Sequence, residues 1–129
     1  MVKTLIINDN QPMVDFIKLS LNKYDFSLKV AKSKEDVLLQ IEKEKPQIII
    51  LGLVIKEEDG IQLCREIRQH VDYRQSAIIM LSSVKDSELM VESLNAGADD
   101  YIVQPISPQL FTKKIFALLR RNSKHSGAA

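Results

Sequence analysis

Pro46-Gln47-Ile48-Ile49-Ile50-Leu51-Gly52-Leu53 carries aliphatic side chains at every position from Ile48 to Leu51. A strand with one wet face alternates apolar and polar residues. An uninterrupted apolar run instead reads as a strand buried on both faces, the habit of parallel sheets covered by helices. Similar runs lie on either side. Val2 to Ile7 is a short β-branched segment, Phe26 to Val30 alternates at Phe26, Leu28 and Val30, Ala77 to Leu81 is apolar throughout, and Tyr101 to Val103 is a last short strand.

Between and after these runs the apolar period becomes helical. Pro12 to Leu21 carries Met13, Phe16, Ile17 and Leu21, and Pro12 suits a first helical turn, where its missing N–H is not needed. Ser33-x-x-Asp36 resembles a capping box and opens a helix predicted to bury Val37, Leu38 and Ile41. Gly60 to Arg68 turns Ile61, Cys64 and Ile67 inward, and Leu89 to Ala96 lies in a fourth helix that Gly97 stops. Ser107 caps a last helix through Arg120, with Phe111, Ile115 and Leu118 on one stripe. Five strand–helix repeats predict an α/β chain with a five-stranded parallel sheet, helices on both faces and the flavodoxin-like strand order 2-1-3-4-5. One domain spans residues 1–121, and 122–129 reads as a flexible tail or the start of a linker. Sites in such sheets form at the carboxyl ends of the strands. Here those ends deliver Asn8 and Asp9, Gly52, Ser82 and Ser83, and Gln104.

The bulk numbers narrow the function classes. The chain has 129 residues, 45% hydrophobic and 27% charged, enough for one real core and a polar surface. Its net charge of +1, from 18 basic and 17 acidic residues, argues against a nucleic-acid surface spread over the domain. Basic residues at the end of the last helix are explained by the helix dipole. A single cysteine, Cys64, and no long apolar segment predict a cytoplasmic chain without a membrane span. No glycine-rich phosphate loop follows the first strand, where Asn8-Asp9-Asn10-Gln11-Pro12 stands, and no histidine lies at a strand's carboxyl end. Both points disfavour a nucleotide binder or hydrolase, so the chain is not expected to be an enzyme.

Four motifs resemble those of response-regulator receiver domains, in the right order over residues 2 to about 121. They are Leu5-Ile6-Ile7-Asn8-Asp9-Asn10, the Pro46 to Leu53 stretch with Asp59-Gly60, Ile78-Ile79-Met80-Leu81-Ser82-Ser83, and Gly97-Ala98-Asp99-Asp100-Tyr101-Ile102-Val103-Gln104-Pro105. The resemblance implies the role of each position and shows which roles have lost their residue. Gly52 stands at the phosphoacceptor position, so no carboxylate is there to attack a phosphoryl donor. Gln104 replaces the lysine that pairs with the phosphoryl group, Asn8 replaces the first of two acids and leaves Asp9 alone, and Lys56 sits where a loop proline is usual. Ser82 and Tyr101 match the switch hydroxyl and switch aromatic.

Loss of nucleophile, counter-cation and one metal ligand together describes a site freed from that chemistry. Mg²⁺ favours carboxylate oxygens in octahedral geometry, and Asp9 with the Val54 carbonyl recruits it weakly at most, so no metal or other cofactor is expected. A hydrogen-bonded pocket acid is the plainer reading of Asp9. Ser82 reads equally as a ligand-binding or loop-tilting hydroxyl and as one satisfied by backbone. Tyr101 should hold one rotamer. Glu57, Glu58 and Asp59 read as a mobile solvated loop, Cys64 as a core residue, and His70 and His125 as surface.

The resemblance therefore implies a pseudo-receiver, a signalling module that works without phosphorylation. It would bind a protein partner or itself through the face of the fourth helix, fifth strand and fifth helix, with Glu88, Glu92, Ile102, Lys113, Lys114 and Arg120 as exposed members. Direct nucleic-acid or membrane binding is not expected. The alternative is a receiver-like domain regulated by a small ligand or anion in the space Gly52 leaves.

Overall fold

In the computed structural model, which describes residues 1–70 and 76–127 with side chains as far as Arg121, the chain alternates strand and helix throughout. The elements are β1 (Val2–Ile7), α1 (Gln11–Leu21), β2 (Phe26–Ala31), α2 (Lys34–Glu44), β3 (Ile48–Leu51), β4 (Val54–Ile55), β5 (Glu58–Asp59), α3 (Gly60–Gln69), β6 (Ala77–Ser82), α4 (Ser87–Asn95), β7 (Asp100–Val103) and α5 (Pro108–Gly127). Five strands form one parallel sheet in the order β2-β1-β3-β6-β7. Counting only those strands, this is the flavodoxin-like order 2-1-3-4-5.

The apolar run that decides the fold sits at the centre of the sheet, each of its residues no more than 1% exposed. Its side chains alternate between two cores. Ile49 and Leu51 join Leu5, Ile7, Ile78 and Met80 beneath α2, α3 and α4. Ile48 and Ile50 join Ile6, Ile79 and Leu81 beneath α1 and α5. Burying each such side chain contributes roughly 1.5–3 kcal/mol, and a polar residue anywhere in the run would face apolar packing on one side or the other.

Side-chain caps start the helices, those of Ser33 and Ser107 where the sequence places them. Asn10 Oδ1 accepts the Met13 N–H, Ser33 Oγ the Asp36 N–H and Ser107 Oγ the Leu110 N–H. Asp86 Oδ1 caps α4 through the Glu88 and Leu89 N–H groups. Gly97 ends the α4 turn at φ +111°. That conformation favours glycine, and a Cβ there would also run into the stem of Arg68.

Three expectations are corrected. Leu38 is 57% exposed. Val37 and Ile41 stand one turn apart on the inward stripe of α2, and Leu38 is rotated about 100° from Val37. Second, α5 does not stop near Arg120 but continues to Gly127, so residues 122–127 are helical backbone where a flexible tail was predicted. No proline or glycine interrupts Asn122 to Ser126, and a glycine stands where the helix ends. The side chain of His125 and residues 128–129 lie outside the described residues. Third, the acidic loop after Gly52 is partly a hairpin. β4 and β5 pair antiparallel, Val54 with Asp59 and Ile55 with Glu58, around Lys56 and Glu57. Both turn residues have positive φ, 47° and 68°, as a two-residue type I′ turn requires. Among the described residues no helix is long and apolar enough to cross a membrane.

Candidate functional site

Parallel register brings the strand ends together. Ile7 stands beside Leu51, Leu51 beside Met80, and Ser82 beside Val103. Asn8, Gly52, Ser82 and Gln104 therefore share the carboxyl edge of four neighbouring strands. The Gly52 N–H donates to Ile7 O at 3.0 Å and the Gln104 N–H to Ser82 O at 2.7 Å.

Gly52 is buried, and the space its side chain would need is claimed by Asn8. A Cβ built on Gly52 would lie 2.9 Å from Asn8 Nδ2 and 3.3 Å from its Cγ. Asn8 is itself buried, and its Oδ1 accepts the Asn10 N–H at 2.8 Å. That bond fixes the amide with its nitrogen toward Gly52. Asp9, by contrast, is exposed. Its Oδ2 accepts the Lys56 N–H at 2.9 Å and so ties the tip of the β4–β5 hairpin to the end of β1. Of the three hairpin acids, Asp59 caps α3 by accepting the Ile61 N–H. Among the described residues no group of three or more His, Cys, Asp or Glu side chains is arranged to hold a metal ion.

Gly60 has a different and stricter reason to be glycine. A Cβ there would sit 1.9 Å from Gly52 O and 2.8 Å from Leu53 O, both backbone atoms, and the Gly60 N–H donates to Leu53 O at 2.6 Å. Asp59-Gly60 thus lets the start of α3 pass directly over the end of β3.

The two switch-equivalent residues meet at one backbone unit. Ser82 Oγ accepts the Val84 N–H at 2.9 Å, and the Tyr101 hydroxyl donates to Val84 O at 2.7 Å. Both side chains are buried. Gln104 turns back on its own loop, its Oε1 accepting the Ile106 N–H at 2.8 Å.

Of the surface residues named from the sequence, Glu88 and Glu92 on α4 and Lys113 and Arg120 on α5 are exposed. Lys114 is half-buried, with its Nζ 3.8 Å from an Asp100 oxygen. Ile102 is only 2% exposed and packs with Phe111 and Ile115. It cannot supply apolar contact to a partner. A strand covered on both faces hides alternate residues alike, which the short run Tyr101 to Val103 did not reveal. The exposed apolar side chains on α4 are Val91 and Leu94, and on α5 Leu110. Sequence reading missed them because each lies within an otherwise core-facing helix pattern.

Away from this edge, Arg68 links α3 to the amino ends of β6 and β7. Its Nε donates to Gly97 O at 2.7 Å, Nη1 to Ser76 O and Nη2 to Asp99 Oδ2 at 2.8 Å. The same Asp99 oxygen accepts the Ile78 N–H. Asp99 therefore serves an ion pair rather than the pocket.

This architecture has clear relatives. The response regulator receiver domain model matches residues 4–116. Over 121 residues the chain is 31% identical to the alkaline phosphatase synthesis transcriptional regulatory protein PhoP of Bacillus subtilis, covering 93% of this chain and 49% of that protein. The chain thus spans about half the length of that relative. Among solved structures, a CheY-like response regulator receiver domain protein from Methanospirillum hungatei superposes with a TM-score of 0.87 at 26% identity, over 97% of this chain and 98% of its own. The BeF3-activated N-terminal receiver domain of RstA from Klebsiella pneumoniae gives 0.83 at 27%, over 92% and 98%. With its family motifs lying at the strand ends just described, the chain belongs to the response regulator receiver domain family.

Proposed function

We propose that this receiver domain is a pseudo-receiver, an interaction module of two-component signalling that works without phosphorylation. The observation that carries the reading is Gly52. The phosphoacceptor position has no side chain, and the neighbouring Asn8 amide lies where one would stand. The Val84 clamp supports a fixed output surface, because both switch-equivalent side chains are already engaged with protein backbone. The surface in question is the α4–β7–α5 face. Glu88 and Glu92 make its α4 side acidic, while α5 carries Lys113, Lys114, Arg120 and Arg121 and no acid. A two-fold axis would set these unlike patches opposite each other, and a protein partner with an acidic patch would meet α5 in the same way. Apolar contact would come from Val91 and Leu94. The proposed setting is cytoplasmic, with neither membrane nor nucleic acid bound directly.

Two measurements test the reading. Treated with acetyl phosphate and Mg²⁺, the protein should show no gain of a phosphoryl group by intact mass. A hydroxylamine-sensitive gain would overturn phosphorylation independence. The double variant Lys113→Glu/Lys114→Glu should weaken self-association or partner capture by about tenfold, since each exposed pair contributes about 0–1 kcal/mol, with the far-UV spectrum unchanged. Unaltered sedimentation and unaltered capture of every partner would move the working surface elsewhere.

A further inference from the structure

Two leucines on α2 face outward side by side. Leu39 is 69% and Leu38 57% exposed, whereas Val37 and Ile41 on the opposite stripe are buried. Leu39 stands in a row with Glu35 one turn before it and Lys43 one turn after it, since residues four apart lie above one another on a helix. Glu35 and Lys43 are both exposed, and among the described residues neither has an ion-pair partner. Lys34, one turn before Leu38, differs, because its Nζ lies 3.2 Å from a Glu66 oxygen on α3. An acid in the first turn and a base in the last suit the helix dipole. The dipole does not account for a leucine held in water between them.

The row carries opposite charges at its two ends, so it complements its own reverse. Parallel pairing of two α2 helices would set Glu35 against Glu35 and Lys43 against Lys43. Antiparallel pairing, with Leu39 of each copy at the centre, brings Glu35 of one copy alongside Lys43 of the other, twice by symmetry. Rows of residues four apart run alongside one another in the commonest class of helix packing. The place of α2 in the fold leaves room for this approach. It packs against β1 and β2 at one edge of the sheet, while α4 packs against β7 at the other. Pairing through α2 therefore leaves the α4–β7–α5 face open.

We propose that two copies of this chain associate through antiparallel α2 helices, with Leu38 and Leu39 at the centre and a Glu35–Lys43 pair on either side. This contact goes beyond the α4–β7–α5 reading and does not rest on it. One edge of the sheet joins two copies, and the other stays available to a different protein. A single helix of 11 residues per copy, about 16 Å long, covers less than the roughly 1,200 Å² in total of a standard interface. The dimer is therefore weak and concentration-dependent, with a Kd on the order of 0.1 mM.

Sedimentation of the full chain from micromolar to millimolar concentration tests the pairing. The parent should pass from monomer to dimer. Leu39→Gln should weaken association by more than about tenfold. Glu35→Lys or Lys43→Glu alone should weaken it by about five- to tenfold, because each reversal sets two like pairs in place of two unlike ones. The combined variant Glu35→Lys/Lys43→Glu should recover the parent's affinity to within about twofold. Such recovery is specific to self-pairing, since a different partner would keep its own charges. Lys113→Glu/Lys114→Glu should leave the dimer unchanged. The three α2 positions are exposed, so far-UV spectra should match the parent. A parent that stays monomeric at millimolar concentration overturns the proposal, as does a charge swap no better than the single reversals. Association that ignores the α2 variants and falls with Lys113→Glu/Lys114→Glu assigns the self-contact to the α4–β7–α5 face and overturns it as well.

Discussion

Gly52 and Gly60 are both pressed by their surroundings, but by different kinds of atom. A methyl group on Gly52 would meet the tip of the Asn8 side chain, which has rotamers to yield. On Gly60 it would meet Gly52 O and Leu53 O, which can move only with β3 itself. Gly52→Ala should therefore cost about 1 kcal/mol or less, and Gly60→Ala about 3 kcal/mol or more. Urea midpoints of the two variants would test this, and equal midpoints would contradict the distinction. Gly52→Asp is harder on both counts. Its carboxylate must displace Asn8, and it adds a second acid near Asp9 with Gln104 supplying no positive charge. Because Asp9 is exposed, solvent screens that repulsion to roughly 1 kcal/mol. Gln104→Lys in that background should recover part of the loss near neutral pH, and a double variant no more stable than the single one would refute the pairing.

At the scale of elements, the loop from Ser83 to Asp86 is held by Ser82 and Tyr101 through one residue, Val84. Tyr101→Phe removes one of these hydrogen bonds and keeps the ring packing. It should cost about 1 kcal/mol and speed hydrogen exchange at Val84 and the first turn of α4, leaving β1 and β3 unchanged; unaltered exchange there would show that the bond restrains nothing. The β4–β5 turn makes a second case. Lys56 and Glu57 both hold positive φ, and Asn-Gly is the pair that such a turn favours. Lys56→Asn/Glu57→Gly should raise stability by about 1 kcal/mol, read as a higher urea midpoint. The hairpin was invisible in the sequence for the same reason, since Lys-Glu carries no turn signal. Other elements were legible because their signals were strong: Ile48 to Leu51 could only be a central strand, Gly97 marked a helix end, and Ser33 and Ser107 announced caps. The site was legible by position but not by orientation. Sequence placed Asn8, Ser82 and Gln104 at strand ends, yet which way each amide turned depends on the Asn10 and Ile106 N–H groups. Ile102 was misjudged because a strand residue's exposure is decided by the helices packed over it.

Over the whole molecule, the two cores differ in their one reactive group. Cys64 lies in the core beneath α2, α3 and α4 and is fully buried. Burial pushes its thiol up to about 11 from the usual 9.0, with the nearby Arg68 charge offsetting part of the rise. Above pH 9 the unfolded chain gives up this proton while the folded chain keeps it. The contribution to stability is therefore complete below pH 9 and is lost as pH rises toward 11. Cys64→Val should flatten the pH dependence of stability over that interval relative to the parent, and parallel curves would show that the thiol is not the group responsible. The contacts of Arg68 have a mechanical consequence as well. They fasten the carboxyl end of α4 at Gly97 to α3, β6 and β7, while the amino end of α4 follows a loop held at Val84. The helix, about 13 Å long, is thus a beam supported at both ends, so a load on its middle is shared between the Arg68 contacts and the Val84 loop instead of swinging either tip.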